Sequence, residues 1–577
     1  MRTATHQRRS AAHILLEALL EQGIEYIFGN LGTDHVPLIE ELARWHQEDR
    51  ASPQVVLCPH ENTAVHMAGG YAAATGRGQA VAVHVDVGTA NAASAMHNLF
   101  RARLPVLLMA GRAPFSSYNE LLGGRDTYVH FIQEPFDQGS LVRPYVKWEY
   151  TLPAGEITKE VIARACSVMH SDSMGPAYLM LPREILASEC DYARARPYSP
   201  GRHSAVKRSG VVREVVENVA RRLVAANEPL LVTAYAGRQT STPGLIDRLA
   251  QLAGVRVCEF NTVHLNISRD SPCFGGYQPS QFAETADFGL LVDVDVPWVP
   301  KTTRVNPDAF WVQIDVDAIK QNLPMWNFAT DLRIEGDSAE WLTALIDAVQ
   351  GLATPAFTAR AARRVEKMAT MRAEHIRVIA EMARHPGVPG ALNPHYICAA
   401  LGRAINIEDV VINEAIRNAP VVFEQIHRTR PGTLLGLSGG GLGYSGGMAL
   451  GYKLAQRHRR VLHVVGDGSF YFGNPSSLYA VSRQYGLPIF SIVLDNGGWA
   501  AVKEATLRMY PDGDARRSNV FQSELAPDPN FARIAEAAGA YGEQLIEPDE
   551  VEPAIVRCLT ALDRGRSAVL HVRVAHL

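Results

Sequence analysis

Two short apolar runs, residues 461–465 and 488–494, each end in a polar, glycine-rich turn, Gly466-Asp467-Gly468-Ser469 and Asp495-Asn496-Gly497-Gly498, and a helix-compatible stretch separates them. Strand, helix, strand in that order predicts a parallel pair, because parallel strands need a long crossover whereas antiparallel ones can be joined by a tight hairpin. Both turns then stand at the carboxyl ends of their strands, where open α/β sheets bind ligands. Either turn alone is a common chain reversal. Paired across one crossover, they mark a site. One carboxylate, one amide oxygen and a nearby backbone carbonyl from these turns are hard oxygen ligands that suit Mg²⁺, which keeps its other positions for phosphate oxygens and water. The glycines allow a diphosphate to approach the backbone, and Ser469 with the following helix N-terminus can donate hydrogen bonds to it.

The same alternation runs through the rest of the chain. Residues 24–28, 54–57, 80–85, 106–109 and 177–181 read as strands separated by helical stretches. After an Arg-, Pro-, Ser- and Gly-rich linker at 191–210, the pattern restarts at 230–234, 255, 289–294 and 310–314, and again at 410–412, 461–465, 488–494 and 568–572. This predicts an α/β chain of three domains, each a mostly parallel sheet covered by helices, with bounds at 1–190, 205–350 and 390–577. A length of 577 residues accommodates three such cores.

A net charge of −4, from 56 Lys and Arg against 60 Asp and Glu, offers no field for a polyanion and argues against nucleic acid. Seven scattered cysteines form no Cys-x-x-Cys pair, which points to reduced thiols and a cytoplasmic setting. Arg2, Arg8 and Arg9 precede an apolar run that could pass for an anchor, but Glu17 and Glu21 interrupt it and Gly23 stops it, so it reads as an amphipathic helix. No membrane partner is expected; a small-molecule substrate is.

Gly-Asp-Gly-Ser, an intervening helix and strand, and Asn496 resemble the thiamin-diphosphate motif of the acetolactate synthase, pyruvate decarboxylase and benzoylformate decarboxylase superfamily. The resemblance implies thiamin diphosphate and Mg²⁺, with Asp467, Asn496 and the Gly498 carbonyl as metal ligands. Two features depart from the family: the spacing is lengthened around residues 471–475, and Asp495 precedes Asn496 where Asn is frequent. Upstream, the segment from Ser438 through Gly441 and Leu442 to Gly451 resembles the glycine-rich stretch before the cofactor strand, with Gly446-Gly447 in place of Leu-Pro. Leu442 would be the apolar wedge under the cofactor, and Ser438, Gly441, Gly466, Gly468 and Ser469 would line it.

In the first domain the segment from residue 55 to Gly76 resembles the family's strand-to-helix junction and places Glu61 on its catalytic, cofactor-activating glutamate. Read alone, Glu61 is a first-turn residue complementing a helix dipole. Gly29-Asn-Leu-Gly-Thr33 and the run from Val81 to Asn91 are similar to benzoylformate decarboxylase segments, with Thr33 at the substrate carboxylate and His84 at the active-site histidine; read alone, His84 is a core residue at a strand end. Phe131-Ile-Gln133-Glu134 resembles an acetolactate synthase region and makes Gln133 a contact to the substrate or a later intermediate, with a surface polar role as its plain reading. The paired histidines of pyruvate decarboxylases are missing. FAD is not expected, because residues 292–300 lack the flavin-binding pattern.

The resemblance implies decarboxylation of a 2-oxo acid through a C2 ylide and an enamine that is protonated or added to a second carbonyl, in a homodimer or homotetramer with its site between subunits. The alternatives are an acetolactate-synthase-like carboligase, a 2-hydroxyacyl- or oxalyl-CoA lyase, and a catalytically silent regulatory homologue. A nicotinamide oxidoreductase is disfavoured, since Gly439-Gly-Gly441 does not make the Gly-x-Gly-x-x-Gly spacing.

Overall fold

A computed structural model describes residues 8–206, 210–525 and 528–575. Arg2 and part of the linker, residues 207–209, lie outside them.

Three parallel sheets account for most of the strands. The first holds β1 (Tyr26–Gly29), β2 (Gln54–Leu57), β3 (Gln79–Val83), β4 (Val106–Arg112), β5 (Trp148–Thr151) and β6 (Ala177–Pro182), in the order β2-β1-β3-β4-β6-β5. The second holds β7 (Pro229–Thr233), β8 (Arg256–Glu259), β9 (Phe288–Val292), β10 (Phe310–Asp315) and β11 (Leu332–Glu335), in the order β8-β7-β9-β10-β11. The third holds β12 (Val410–Glu414), β13 (Leu434–Leu435), β14 (Val461–Gly466), β15 (Phe490–Asp495), β16 (Tyr541–Leu545) and β17 (Ala568–Arg573), in the order β13-β12-β14-β15-β17-β16. The first and third sheets share one topology. Their central strands are buried along their whole length, as in β3 and β15, because helices cover both faces.

The order 2-1-3-4 reverses its winding between the first and third strands of each sheet, and the crevice at that point is where such sheets hold ligands. β1 and β3 open it in the first sheet, β12 and β14 in the third. Around the first unit, Arg8–Ser10 pairs antiparallel with Glu189–Asp191, tying its entry to its exit.

Helix α1 (Glu61–Thr75) of the first unit lies on helix α3 (Tyr444–Ala455) of the third, with α2 (Val85–Arg101) beside them. The contact is backbone to backbone. A Cβ on Gly70 would stand 2.1 Å from the Met448 carbonyl oxygen, and one on Gly451 only 1.9 Å from that of Met67. One apolar cluster therefore runs from Phe28 and Val81 through Met67 and Met448 to Val465. Gly446 and Gly447, which replace Leu-Pro, are buried within α3, and a Cβ on Gly447 would lie 2.6 Å from that of His66. Two glycines here permit the close approach of the helices.

Some sequence expectations shift at their ends. The strand expected over 80–85 stops at Val83; His84 caps α2, which begins at Val85. The expected helix N-terminus after Ser469 lies earlier: α4 (Asp467–Phe472) starts at Asp467 and includes Ser469. The extra residues near 471–475 form a break, Gly473 and a left-handed Asn474, before α5 (Pro475–Tyr485). Among the described residues, no helix is long and apolar enough to cross a membrane.

Candidate active site

The third sheet delivers Asp467 from β14 and Asp495, Asn496 and Gly498 from β15, adjacent strands whose carboxyl ends are level, Gly466 facing Leu494. Asp467 is buried; its Oδ1 accepts the Gly468 N–H at 2.8 Å and its Oδ2 has no partner. A buried carboxylate oxygen without a partner is costly, and burial together with the neighbouring Asp495 carboxylate pushes Asp467 above its ordinary pKa. Asn496 Oδ1 accepts the Gly498 N–H at 3.3 Å. Gly498 has φ +153°, and a Cβ there would lie 2.1 Å from the Ser523 carbonyl oxygen, so only glycine brings this loop so close. These donors fit a hard divalent cation: one open carboxylate oxygen, one amide oxygen and one carbonyl. Among the described residues no group of three or more His, Cys, Asp or Glu gathers as an alternative metal site.

Asp495, the departure from the family pattern, is compensated locally. Its Oδ1 accepts the Gly497 N–H at 2.9 Å, and its Oδ2 lies 2.8 Å from both His571 Nε2 and Arg573 Nη1 on β17. Burial alone would raise its pKa, but the His571 hydrogen bond and the Arg573 charge hold it well below the usual carboxylate range. The carboxylate thereby fastens the Asn496 loop to the last strand. Glu414, at the end of β12, does similar work for the glycine-rich segment by accepting the N–H groups of Gly443, Tyr444 and Ser445 at 2.7, 3.2 and 2.7 Å. Sequence reading passed over Glu414, since nothing in the chain announces which strand end meets that segment. Ser438 Oγ is buried without a partner, and Leu442 is half-buried between Gly441 and Gly443. Gly441 is bonded through both N–H and carbonyl to the Asn98 amide, at 2.9 Å each.

The first sheet gathers the other candidates. Glu61 opens α1, 7% exposed, and accepts from the side-chain amides of Asn30 and Asn91 at 3.2 Å each. His84 lies at the end of β3 with Nδ1 2.5 Å from Asp34 Oδ1. Thr33 Oγ1 lies 3.3 Å from His130 Nε2, and His130 in turn contacts Arg183, which pairs with Asp126. Gln133, one turn beyond His130, joins none of these bonds; its Oε1 is buried and partnerless. Thr33, Glu61 and His84 thus share one strand-end crevice, while Gln133 stands apart. Asn30, Asp34, Asn91, His130 and Arg183 went unread as site residues. The two asparagines and Asp34 lay inside or beside the motifs already singled out; His130 and Arg183 join only by folding.

Among the described residues, no hydrogen bond or ion pair links the Glu61 group to Asp467, Asn496 or Gly498 in the same chain. At the middle sheet's strand ends Lys320 Nζ lies 2.7 Å from Asp315 and 2.8 Å from Asp295, Arg103 of the first unit clasps Asp295 at 2.6 and 3.1 Å, and Tyr235 OH bonds Asp315.

The pattern described as "Thiamine pyrophosphate enzyme, N-terminal TPP binding domain" matches residues 9–141, and its C-terminal TPP binding domain counterpart matches residues 418–572; thiamine pyrophosphate is thiamin diphosphate. Benzoylformate decarboxylase from Pseudomonas aeruginosa is 24% identical over 571 residues, covering 94% of this chain and 96% of that one. The large subunit of acetolactate synthase isozyme 3 from Escherichia coli is 24% identical over 587 residues, covering 98% and 95%. The solved thiamin diphosphate-dependent 4-hydroxybenzoylformate decarboxylase of Rhodococcus jostii superposes with a TM-score of 0.79 at 20% identity, covering 99% of this chain and all of that one, a likeness of fold.

Proposed function

The chain belongs to the thiamine pyrophosphate enzyme superfamily, and from that premise we propose that it decarboxylates a 2-oxo acid, releasing an aldehyde or joining the residual acyl group to a second carbonyl compound. The observation that carries this reading is the convergence of Thr33, Glu61 and His84 at one strand-end crevice. Bound thiamin diphosphate would supply the electron sink for the pair left when carbon dioxide departs.

The protein's own groups have separate tasks. Asp467, Asn496 and the Gly498 carbonyl would hold Mg²⁺, the partnerless Asp467 Oδ2 being the open ligand atom. Ser438, Gly441, Leu442, Gly466, Gly468 and Ser469 would line the cofactor. Glu61, oriented by Asn30 and Asn91, would hold the proton shared with the cofactor's pyrimidine nitrogen. Thr33 Oγ1 would meet the substrate carboxylate, Gln133 the substrate or a later intermediate, and His84 would move a proton to and from the reacting carbon. We assign pyrimidine binding to residues 1–190, diphosphate and metal binding to 390–577, and a spacer role to 205–350, in a homodimer or homotetramer.

The test is a panel of aromatic and aliphatic 2-oxo acids with thiamin diphosphate and Mg²⁺, alone and with acceptor aldehydes, following carbon dioxide and products. Aldehyde from at least one acid is expected, with kcat lower by about 10²-fold or more in Glu61→Gln. Acetohydroxy acid from pyruvate would favour ligation instead. Undiminished turnover in Glu61→Gln, or no carbon dioxide from any acid, would sink the reading.

A further inference from the structure

The first sheet reverses its winding between β1 and β3, and each strand runs out into a chemically active residue there. β1 leads into the short turn of helix Thr33–His35, and β3 leads into His84. Asp34 sits in that turn with no exposure, its Oδ1 2.5 Å from His84 Nδ1 and 3.4 Å from His35 Nδ1. Its Oδ2 is buried and partnerless, so the carboxylate's compensation rests on the two histidines. Two glycines make the room. A Cβ on Gly111 would fall 1.3 Å from Asp34 Oδ2, and one on Gly32 would fall 2.4 Å from His84 Nδ1. Burying a carboxylate in this way is unfavourable unless a donor answers it, and packing glycines around it fixes where that donor must be.

His84 is held at one nitrogen only. Its side chain caps no N–H of the helix it precedes, is 23% exposed, and makes no hydrogen bond through Nε2 among the described residues. An ionised carboxylate can only accept, so Nδ1 is the N–H that faces it.

We propose that Asp34 is the positioning residue for His84, fixing the imidazole as an Nδ1–H donor and reserving Nε2 for proton exchange with the substrate carbon. This rests on the reading of His84 as the proton-transfer group. In that step the Nε2–H bond breaks, a C–H bond forms with the electron pair left by the departing carbon dioxide, and solvent restores the proton to Nε2. Asp34 takes no proton. It stabilises the imidazolium in either direction, as a buried aspartate does behind a catalytic histidine.

The groups that face His84 favour its charged form. Asp34 stands against Nδ1, Asp86 lies in the first turn of α2, and Glu61 opens α1; on the other side are His35 and His130, the latter backed by Arg183. The Asp34 hydrogen bond holds the His84 pKa above its ordinary value. His130 behaves oppositely, lowered first by burial and then by the Arg183 charge. Their surroundings thus push the two histidines in opposite directions, His84 up and His130 down.

The test uses the holoenzyme with thiamin diphosphate and Mg²⁺ and the 2-oxo acid it turns over fastest. In the wild type, the His84 imidazole, assigned by its loss in His84→Ala, should titrate above a free histidine in an NMR pH series and show a strongly downfield Nδ1–H resonance. Asp34→Asn, of the same shape, should lose that resonance, lower the His84 pKa, and reduce kcat by about 10²-fold with little change in KM. His84→Ala should reduce kcat at least as far, and the double variant should be no worse than His84→Ala alone. A wild-type His84 that titrates at or below the free value, an Asp34→Asn variant with unaltered titration and kcat, or additive losses in the double variant would overturn the proposal. Full activity in His84→Ala would also overturn it, by removing the role of His84; the Asp34-dependent titration would still be seen, which tells that failure from the others.

Discussion

Thr33, Glu61 and His84 could be picked from the chain because each sits in a run whose pattern speaks for it, whereas Asp34, one residue beyond Thr33, could not. Its partner is 50 residues away, and only the adjacency of β1 and β3 brings them together. The same holds for Glu414 and the N-terminus of α3, and for His130 and Arg183. Polar residues with local partners are legible; those that answer a distant strand end are not. The Asp34–His84 pair also has a pH signature in stability. Burial alone would raise the Asp34 pKa, but hydrogen bonds from His35 and His84 depress it, so its contribution is present above its unfolded value and is lost as pH falls through the folded one. The His84 pKa is raised, chiefly by Asp34, so its contribution is complete below its unfolded value and is lost as pH rises through the folded one. Both are present together between about pH 4 and 6.5, the unfolded values of the two groups. The difference in thermal unfolding midpoint between wild type and Asp34→Asn should peak in that window and narrow on either side. A difference independent of pH would show that the pair is not coupled by charge.

Within the three parallel sheets, the strands that escaped sequence reading are β5, β11, β13 and β16, and every one lies at a sheet edge. An edge strand is shielded on fewer sides, so it does not need the continuous apolar run that marks β3 or β15. β11 buries only Ile334 and β16 only Leu545, while β13 is two residues long. Interior strands wrote themselves into the sequence because burial on both faces leaves few residue types. Helix α3 was legible as a glycine-rich segment but not as a packing surface, since its meaning depends on α1 lying against it. That contact makes a sharp expectation. In Gly451→Ala the new methyl would meet the Met67 carbonyl oxygen at 1.9 Å, and backbone cannot rotate away as a side chain can. Overpacking of this sort costs about 1–3 kcal/mol or more. The variant should unfold at a lower temperature than wild type and hold thiamin diphosphate less tightly in isothermal titration, because Glu61 opens one of the two helices being forced apart and Gly441 lies in the loop that leads into the other. Gly351→Ala, at a helical glycine with open space around it, serves as the comparison, and an equal effect there would show that the loss does not come from helix spacing.

At the scale of the whole molecule, the first and third sheets repeat one strand order, and each brings one group of the proposed site residues to its carboxyl edge. Within one chain the two halves share a helix contact but no bond between the Glu61 group and Asp467, Asn496 or Gly498 among the described residues. A second copy can complete both sites at once, because a two-fold axis that carries Glu61 of one subunit to Asp467 of the other necessarily does the reverse. Subunit mixing distinguishes this arrangement from a site closed within each chain. Glu61→Gln and Asp467→Asn should each be inactive alone. In a mixed dimer, one site combines both lesions and the other combines the intact Glu61 of one subunit with the intact Asp467 of its partner. Co-expressing the two variants in equal amounts, so that half of the dimers are mixed and half of their sites intact, should restore about a quarter of wild-type kcat. If each site were built from a single chain, every site in the mixture would carry one lesion and no activity would return, so recovery near a quarter would require shared sites.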